Sequence, residues 1–573
     1  MMSSQHFRTV AVQLASGLLC LYLLSGSFCC PPISLARVPG DNEVTNFYEI
    51  FLTKAISNIP ILPNVSPLYG SPLQELTVIA CPGEYEPVTF TVRAHQGLSG
   101  LLVTPSDLQN GKFTIPASAL DIKVVKCWFQ SGRKINETKQ CVLVPELLLK
   151  DDKLVRVDLE NKKNYLRTKD PSGEEHYVCI SGPTSEHLQD ILPRDADTLQ
   201  PVDLPQGTNK QFWITVNVPA DAHPGLYEGK IRLAAVNVPT IQLRFKLRVL
   251  PFALEKPGLK YSIYYRGKLT EDGKGTIGSE FKSPQQYLAE MLNLKAHGVE
   301  DPTIYQESEA LLCKELELRA RAGISQDALY SLGVRTGNPQ IEEALATLRY
   351  KVKKWLEIAG QYGYAMLYVY GIDEARGEIV KSQRPAWEAV RQTGGKVFVA
   401  IRKGFFGVVG DLLDLAIFGG PPDPQEAKNY HQVGNQIFCY SNPQVGVEEP
   451  ETYRRNFGLL LWKSEYDGAM NYAYQHSFGH IWNDFDSEKE RYRDHVFAYP
   501  TIDGVIDTIQ WEGFREGIDD VRYLATLLKT ILQTRVTKPK LAAQAQNLVD
   551  NIDPQGDLDV LRAEMIEWIL QLQ

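Results

Sequence analysis

The sequence predicts a multidomain β plus α/β chain: an N-terminal antiparallel β-sandwich, a (β/α)8 TIM-type barrel and a short helical C-terminal tail. Three observations lead there. Between residues 37 and 255 apolar residues recur with period two, as in strands with one buried face. Beyond Pro251 and Pro257, short apolar runs alternate with helical stretches. Those runs number eight in roughly 210 residues, the count and length of a barrel.

Residues 1–36 read as an export signal. Arg8 gives a basic start, Val10 to Leu24 is largely apolar, and Ser34-Leu35-Ala36 sets small residues where a signal peptidase cuts. An exported protein is expected: secreted, periplasmic or on the cell surface. The alternative is an uncleaved anchor, since the apolar stretch is nearly long enough to span. Phe28 before Cys29-Cys30 fits a lipobox poorly, and no later run approaches membrane length, so no transmembrane segment is expected in the mature chain.

The sandwich spans 37–255. Val88, Phe90, Val92 and Ala94 alternate with polar residues, and so do Ile241, Leu243, Phe245, Leu247 and Val249. His223-Pro224-Gly225 turns the chain into a strand lined by Tyr227, Ile231 and Leu233. The barrel spans 256–535, with strands at Tyr261–Tyr265, Pro302–Tyr305, Ala328–Leu332, Ala365–Tyr370, Lys396–Ala400, Leu415–Phe418, Gln436–Tyr440 and Ala469–Tyr474. Helices fall at Ile341–Gln361, Pro450–Glu465 and Asp507–Leu532, and residues 536–573 form one or two more.

The chain has 573 residues, a formal charge of −9 and no Lys/Arg-rich block, which argues against a nucleic-acid partner. Six cysteines follow Ala36 with no CxxC spacing, which argues against zinc. Cys127 and Cys141 form either a disulfide or two buried free thiols. Asn64-Val65-Ser66 and Asn136-Glu137-Thr138 are glycosylation sequons.

A barrel gathers its site at the carboxyl ends of its strands. The fourth strand ends Tyr368-Val369-Tyr370-Gly371-Ile372-Asp373-Glu374, two carboxylates directly after an apolar run. After Gly371 the chain is turning, so Asp373 and Glu374 can both face the pocket; the competing account makes them a helix cap and first-turn acid. Tyr305-Gln306, Tyr440-Ser441-Asn442, and Tyr472, Tyr474 and Gln475 stand at other tips, with Trp482 just beyond. Together they describe an aromatic, polar pocket of the kind sugars need. His297 precedes the second strand and reads either as a pocket or a structural residue. Arg515 and Asp519, at i,i+4, read as a surface ion pair. Gly419-Gly420-Pro421-Pro422 is a turn rather than a phosphate loop.

The chain resembles glycoside hydrolase family 123 and its wider bacterial relatives. The resemblance runs from Pro82-Gly83-Glu84-Tyr85-Glu86-Pro87 to Arg515-Glu516-Gly517-Ile518, and rests most on Lys295-Ala296-His297-Gly298, Tyr370-Gly371-Ile372-Asp373-Glu374 and the strand-eight tyrosines. It implies a sandwich, a barrel and an exo-β-N-acetylgalactosaminidase acting on a glycan, with Asp373 and Glu374 as the catalytic pair and neither metal nor organic cofactor. Catalysis would be substrate-assisted, the acetamido group replacing the enzyme nucleophile that most retaining glycosidases carry. Glu374 would protonate the leaving oxygen, its pKa lifted by the neighbouring Asp373 carboxylate, while Asp373 would hold the acetamido N–H. Two competing readings are a two-carboxylate glycosidase on a non-acetamido sugar, with Glu448 or Glu449 as nucleophile, and a non-catalytic glycan-binding protein.

Overall fold

The computed structural model describes residues 47–573 except 67–69, 74, 170–171, 189–190, 192, 237 and 488–490. The expected export signal lies outside the described residues. Among the described residues no helix is long and apolar enough to cross a membrane.

The N-terminal strands build two sheets around one core. The first runs in the order Ser71–Pro72, Tyr48–Thr53, Tyr85–Ala94, Asn209–Asn217, Leu120–Gln130, Val142–Leu149, antiparallel throughout. The second runs Val202–Leu204, Leu98–Pro105, Gly225–Val236, Ile241–Val249, Glu75–Ala80. Its last pair is parallel, which corrects the purely antiparallel expectation. Glu75–Ala80 leads through the Cys81–Glu84 turn into Tyr85–Ala94 of the facing sheet, and that crossing fixes its direction. The period-two residues do line the core: Phe90 stacks on Phe212 at 5.2 Å, and Leu233, Phe245 and Leu247 are buried with them. The polar stretch after Lys162 supplies two strands, Lys163–Lys169 and Glu175–Cys179, of a small separate sheet with Val155–Asp158. Cys127 and Cys141 are free thiols bonded to the carbonyls of Ile61 and Lys162, so the disulfide alternative falls.

The second half holds a parallel sheet of seven strands, in the order Lys260–Ile263, Gly468–Asn471, Gln436–Ser441, Leu415–Gly419, Lys396–Ile401, Met366–Tyr370, Ala328–Arg335. Its strands are apolar on both faces, as a parallel sheet covered by helices requires; Val397 to Ile401 are all buried. The predicted second strand, Pro302–Tyr305, is reduced to a single bridge between Ile304 and Ser331. Pro302 has no N–H to give a ladder. The buried Arg319 takes the Pro302 and Thr303 carbonyls at 2.8 and 2.6 Å. The segment still bonds both sheet edges, Thr303 N to Ile263 O at 3.0 Å and Ile304 N to Tyr330 O at 2.9 Å.

The predicted Pro450–Glu465 helix breaks at Gly458 into Pro450–Phe457 and Leu459–Lys463. The Ile509–Thr534 helix is buried over most of its length. The Arg515–Asp519 surface pair is therefore replaced by i,i+3 pairs, buried Arg515 with Glu512 and buried Asp519 with half-buried Arg522. The tail forms Pro539–Asp550 and Leu558–Leu572. From the latter, Arg562 reaches Asp520 and Glu516, each at 2.7 Å, and Glu86 of the sandwich at 3.2 Å. Glu146 joins the same halves elsewhere, accepting from Trp128 at 2.7 Å and from Gln510 at 2.8 Å.

Cutting one partner from a buried charge cluster leaves the others uncompensated, so Arg562→Ala is expected to cost about 3–5 kcal/mol. The check is the urea midpoint of the purified variant; an unchanged midpoint would contradict the inferred role.

Candidate active site

The Met366–Tyr370 strand ends where its ladder stretches one step further. Gly371 N donates to Phe398 O at 2.9 Å, and Ile372 N to the Gln383 side chain at 2.7 Å. A side chain at Gly371 would meet Val399 and the Trp387 ring at 3.1 and 3.2 Å, so a glycine lets the turn lie this close. Glu374 then sits at φ +42° with its N–H on Ala400 O at 3.2 Å. Left-handed backbone is uncommon for a glutamate and tends to persist where surrounding structure over-determines it, often at functional sites. The turn aims both carboxylates into one cleft beyond the strand tips.

The cleft has two lobes that share Glu374, Tyr440, Gln444 and Tyr472. The smaller, about 240 Å³, holds Asp373 with Tyr264, Arg266, Tyr305, Arg335 and Tyr370. The larger, about 510 Å³, adds Arg402, Ser441, His476, Phe478, Tyr492 and His495. Asp373 is held by Tyr370, whose hydroxyl donates to Oδ1 at 2.7 Å and lies 3.1 Å from the Tyr264 hydroxyl. Glu374 is held at both oxygens: Tyr440 donates to Oε1, and Arg402 bonds Oε2. A side chain at position 419 would strike the Tyr440 ring at 2.7 Å, so Gly419 makes room for it. Arg266 bonds the Tyr472 hydroxyl at 3.2 Å, pairs with Glu280 and lies over the Tyr305 ring.

These contacts set the two acids apart. Partial enclosure lifts the Asp373 carboxyl above its usual range, helped by the Glu374 charge and opposed by Tyr370, Arg335 and Arg402. Enclosure also raises Glu374, but the Arg402 and Tyr440 hydrogen bonds outweigh it and hold Glu374 below its usual range. The order expected from sequence, a Glu374 lifted by Asp373, is thus reversed in the free protein. The reason is Arg402, a long cation whose side chain is 53% exposed.

Of the residues singled out in the sequence, Tyr305, Tyr440 and Tyr472 line the cleft with Asp373 and Glu374. Six others do not, which corrects their placement. Gln306 and Gln475 are buried, bonded to Glu315 and Lys282. His297 caps the Pro284–Ala296 helix on the far side of the sheet from the strand tips. There it stacks on Trp511 at 4.6 Å and bonds the Asn293 carbonyl. Tyr474 is buried one step inward, its hydroxyl on the Asn293 side chain. Trp482 lies in the sandwich core, 6.2 Å from Trp128, with its indole N–H on Pro500 O. Asn442 gives its carbonyl to Asn456 and lines neither lobe. Glu448 is buried in a pair with Arg493, and Glu449 is an exposed helix-start residue bonded to Thr452; neither lines the cleft.

Sequence reasoning missed Arg402, Tyr264, Arg266 and the wall of His476, Phe478, Tyr492 and His495. Arg402 follows Ile401 at the fifth predicted tip, and Tyr264 and Arg266 end the first, so the strand-tip rule applied to every strand finds them. The wall carries no such signal, because it comes from the long excursion after the last strand.

Among the described residues one group has metal-ligand spacing, His297, Asp507 and Glu512. Lys123 already pairs with Asp507 at 2.9 Å and Arg515 with Glu512, so both carboxylates are balanced by protein cations.

Removing Arg402 or the Tyr440 hydroxyl takes away a donor that favours ionised Glu374. Arg402→Ala and Tyr440→Phe should each raise the Glu374 titration midpoint. Carboxyl carbon-13 NMR, assigned with Glu374→Gln, reads it; a midpoint that stays or falls would refute the account.

No protein-family model matches the sequence, and no curated protein matches it. Among solved structures, a GH2 member from Bacteroides cellulosilyticus (12% identity, 74% of this chain, 45% of that one) and a GH5 xyloglucanase from Bacteroides ovatus (9%, 78% and 98%) reach TM-scores of only 0.25, too low to indicate a shared architecture. A family 123 glycoside hydrolase from Clostridium perfringens aligns over 92% of this chain and 98% of its own, at 11% identity with a TM-score of 0.63. The chain is thus similar in fold, over nearly its whole length, to a family 123 glycoside hydrolase.

Proposed function

We propose that the protein is an exported glycoside hydrolase that removes β-linked N-acetylhexosamine, foremost N-acetylgalactosamine, from glycans by substrate-assisted retaining catalysis. The observation that carries it is the single cleft onto which the adjacent carboxylates Asp373 and Glu374 open, with opposite electrostatic settings. The likeness in fold to an enzyme described for glycolipid glycan hydrolysis agrees with it.

Tyr370 occupies Asp373 Oδ1, leaving Oδ2 for the substrate's acetamido N–H. So oriented, the acetamido oxygen attacks the anomeric carbon as the glycosidic C–O bond breaks, and Glu374 gives its proton to the departing oxygen. The oxazolinium cation is stabilised by Asp373. Water then attacks the anomeric carbon, Glu374 takes its proton, and the acetamido oxygen leaves, so configuration is retained. Glu374 can carry that proton only once Arg402 withdraws from Oε2, while Tyr440 keeps Oε1 in place. Against the two-carboxylate reading, Glu448 is paired with Arg493, and neither Glu448 nor Glu449 is among the residues lining the two lobes.

Purified protein should cleave aryl β-N-acetylgalactosaminide, aryl β-N-acetylglucosaminide more slowly, and aryl β-galactoside not at all. Cleavage of the galactoside, or failure of a thiazoline mimic of the cyclised acetamido group to inhibit, would overturn the substrate-assisted mechanism.

Glu374→Gln should lose about 10²–10⁴-fold on poor leaving groups and much less on a dinitrophenyl glycoside, whose departure needs little acid help. Asp373→Asn should harm both alike, because stabilising the cation serves bond breaking whatever leaves. Equal losses on both substrates for Glu374→Gln would remove it from the acid role.

A further inference from the structure

We propose that the outer face of the second sandwich sheet is a docking site for an acidic polysaccharide, a linear chain carrying sulfate or carboxylate groups. The site is separate from the cleft: none of its residues lines either lobe. Strand alternation turns five cations outward here, Arg248, Lys246 and Arg244 on Ile241–Val249, and Lys230 and Arg232 on Gly225–Val236. All but the half-buried Lys246 are exposed. On these two strands and the adjoining Glu75–Ala80, only two carboxylates face the same way, Glu75 and Glu228.

The register arranges the cations as a staircase. Arg248 stands opposite Leu226, Lys246 opposite Glu228, Arg244 opposite Lys230, and Arg232 opposite Gln242. The positive side chains thus descend one strand and step onto its neighbour. From the level of Arg248 to that of Arg232 the stripe covers six residues, about 20 Å. The two acids flank it on opposite sides: Glu228 beside Lys246, and Glu75 beside Arg244. Glu75 takes Arg244 at 3.3 Å and Lys246 at 3.0 Å. Among the described residues Lys230, Arg232 and Arg248 make no ion pair, so their charge is available to a partner.

Charge and shape together select the partner. The whole chain carries a formal −9, so a cationic stripe attracts polyanions to one face while the net charge repels them elsewhere. A flat anionic surface such as a membrane would press on Glu75 and Glu228 as well, whereas a linear chain laid along the staircase passes between them. Stable membrane attachment also takes apolar insertion besides charge. Exposed aliphatic side chains stand only at the ends of the stripe, Ile79 and Leu226 on either side of Arg248, and Val236 beyond Arg232. The guanidinium forks of Arg232 and Arg248 suit oxyanions with two accepting oxygens, which sulfate and carboxylate groups both present.

The experiment measures binding of the full chain to dextran sulfate, alginate, plain dextran and phosphatidylserine vesicles. None of the three polymers contains an N-acetylhexosamine, so the cleft takes no part and the result is independent of the proposed activity. Dextran sulfate, alginate or both should bind, more weakly as salt rises, and plain dextran should not. Binding to only one polyanion assigns the stripe to sulfate or to carboxylate. The triple variant Lys230→Gln, Arg232→Gln, Arg248→Gln should lose affinity on the order of tenfold, the scale of three exposed charge contacts. Glu228→Gln should instead tighten binding, because it removes a flanking like charge. The urea midpoint of each variant should match that of the wild type, which reports that the fold is kept. Plain dextran bound as well as the polyanions, vesicles bound more tightly than either polyanion, no binding at all, or a triple variant that binds like the wild type would each overturn the proposal.

Discussion

Two backbone hydrogen bonds decide where the carboxylates point. Gly371 N to Phe398 O and Glu374 N to Ala400 O keep the chain against the neighbouring strand after Met366–Tyr370 has ended. Had the strand simply continued, Asp373 and Glu374 would face opposite sides of the sheet. Had a helix begun at once, they would be its cap and first-turn acid. The turn does neither: the next helix, Glu378–Ser382, starts beyond the pair, and Glu374 takes left-handed backbone. A few hydrogen bonds thus convert two adjacent residues into two groups that can act on one substrate.

Adjacency alone would leave two like charges competing for protons. The surroundings break that tie. Tyr370 and Tyr264 back Asp373 with neutral hydroxyls in an enclosed place, whereas Glu374 receives a neutral donor and a cation. Sterically, Gly419 is what allows Tyr440 its part, and the parallel sheet is what brings strand tips far apart in sequence within reach of one another. The unexpected element is Arg402. A cation on the proposed acid is unfavourable for protonating it and favourable for holding it ionised; under the proposed mechanism it has to withdraw before Glu374 can act as the acid.

Most of the architecture was legible because it is periodic. The sandwich strands repeat every two residues, and the apolar runs of the parallel sheet are bounded by helices. The exceptions have local causes outside that periodicity. The Pro302–Tyr305 run looks like its neighbours, but Arg319, buried 17 residues beyond Pro302, takes its carbonyls. The pairing of Glu75–Ala80 is parallel because of where the chain goes next, which composition does not encode. At the site, the strand-tip rule found Asp373, Glu374, Tyr305, Tyr440 and Tyr472. It failed for Trp482, since an aromatic just beyond a tip can serve a core as well as a cleft. It failed for His297, which lies at the opposite ends of the strands.

The displaced tryptophan explains why the sandwich and the sheet belong to one site. Trp482 fills a sandwich position against Trp128 and Tyr499, and by doing so pins the middle of the excursion whose two ends form the cleft wall. Arg493 pins it a second time, through Asp484, whose other oxygen takes the Asp494 N–H, and through Glu448 on the loop after the Gln436–Ser441 strand. Phe478 and Tyr492 are thus placed by contacts made far from the chemistry. Among the described residues none from the β-layer lines the cleft, yet the layer still shapes it, because the segment that walls the larger lobe is anchored there. The sandwich is therefore part of what positions the candidate site, although none of the candidate catalytic groups lies on it.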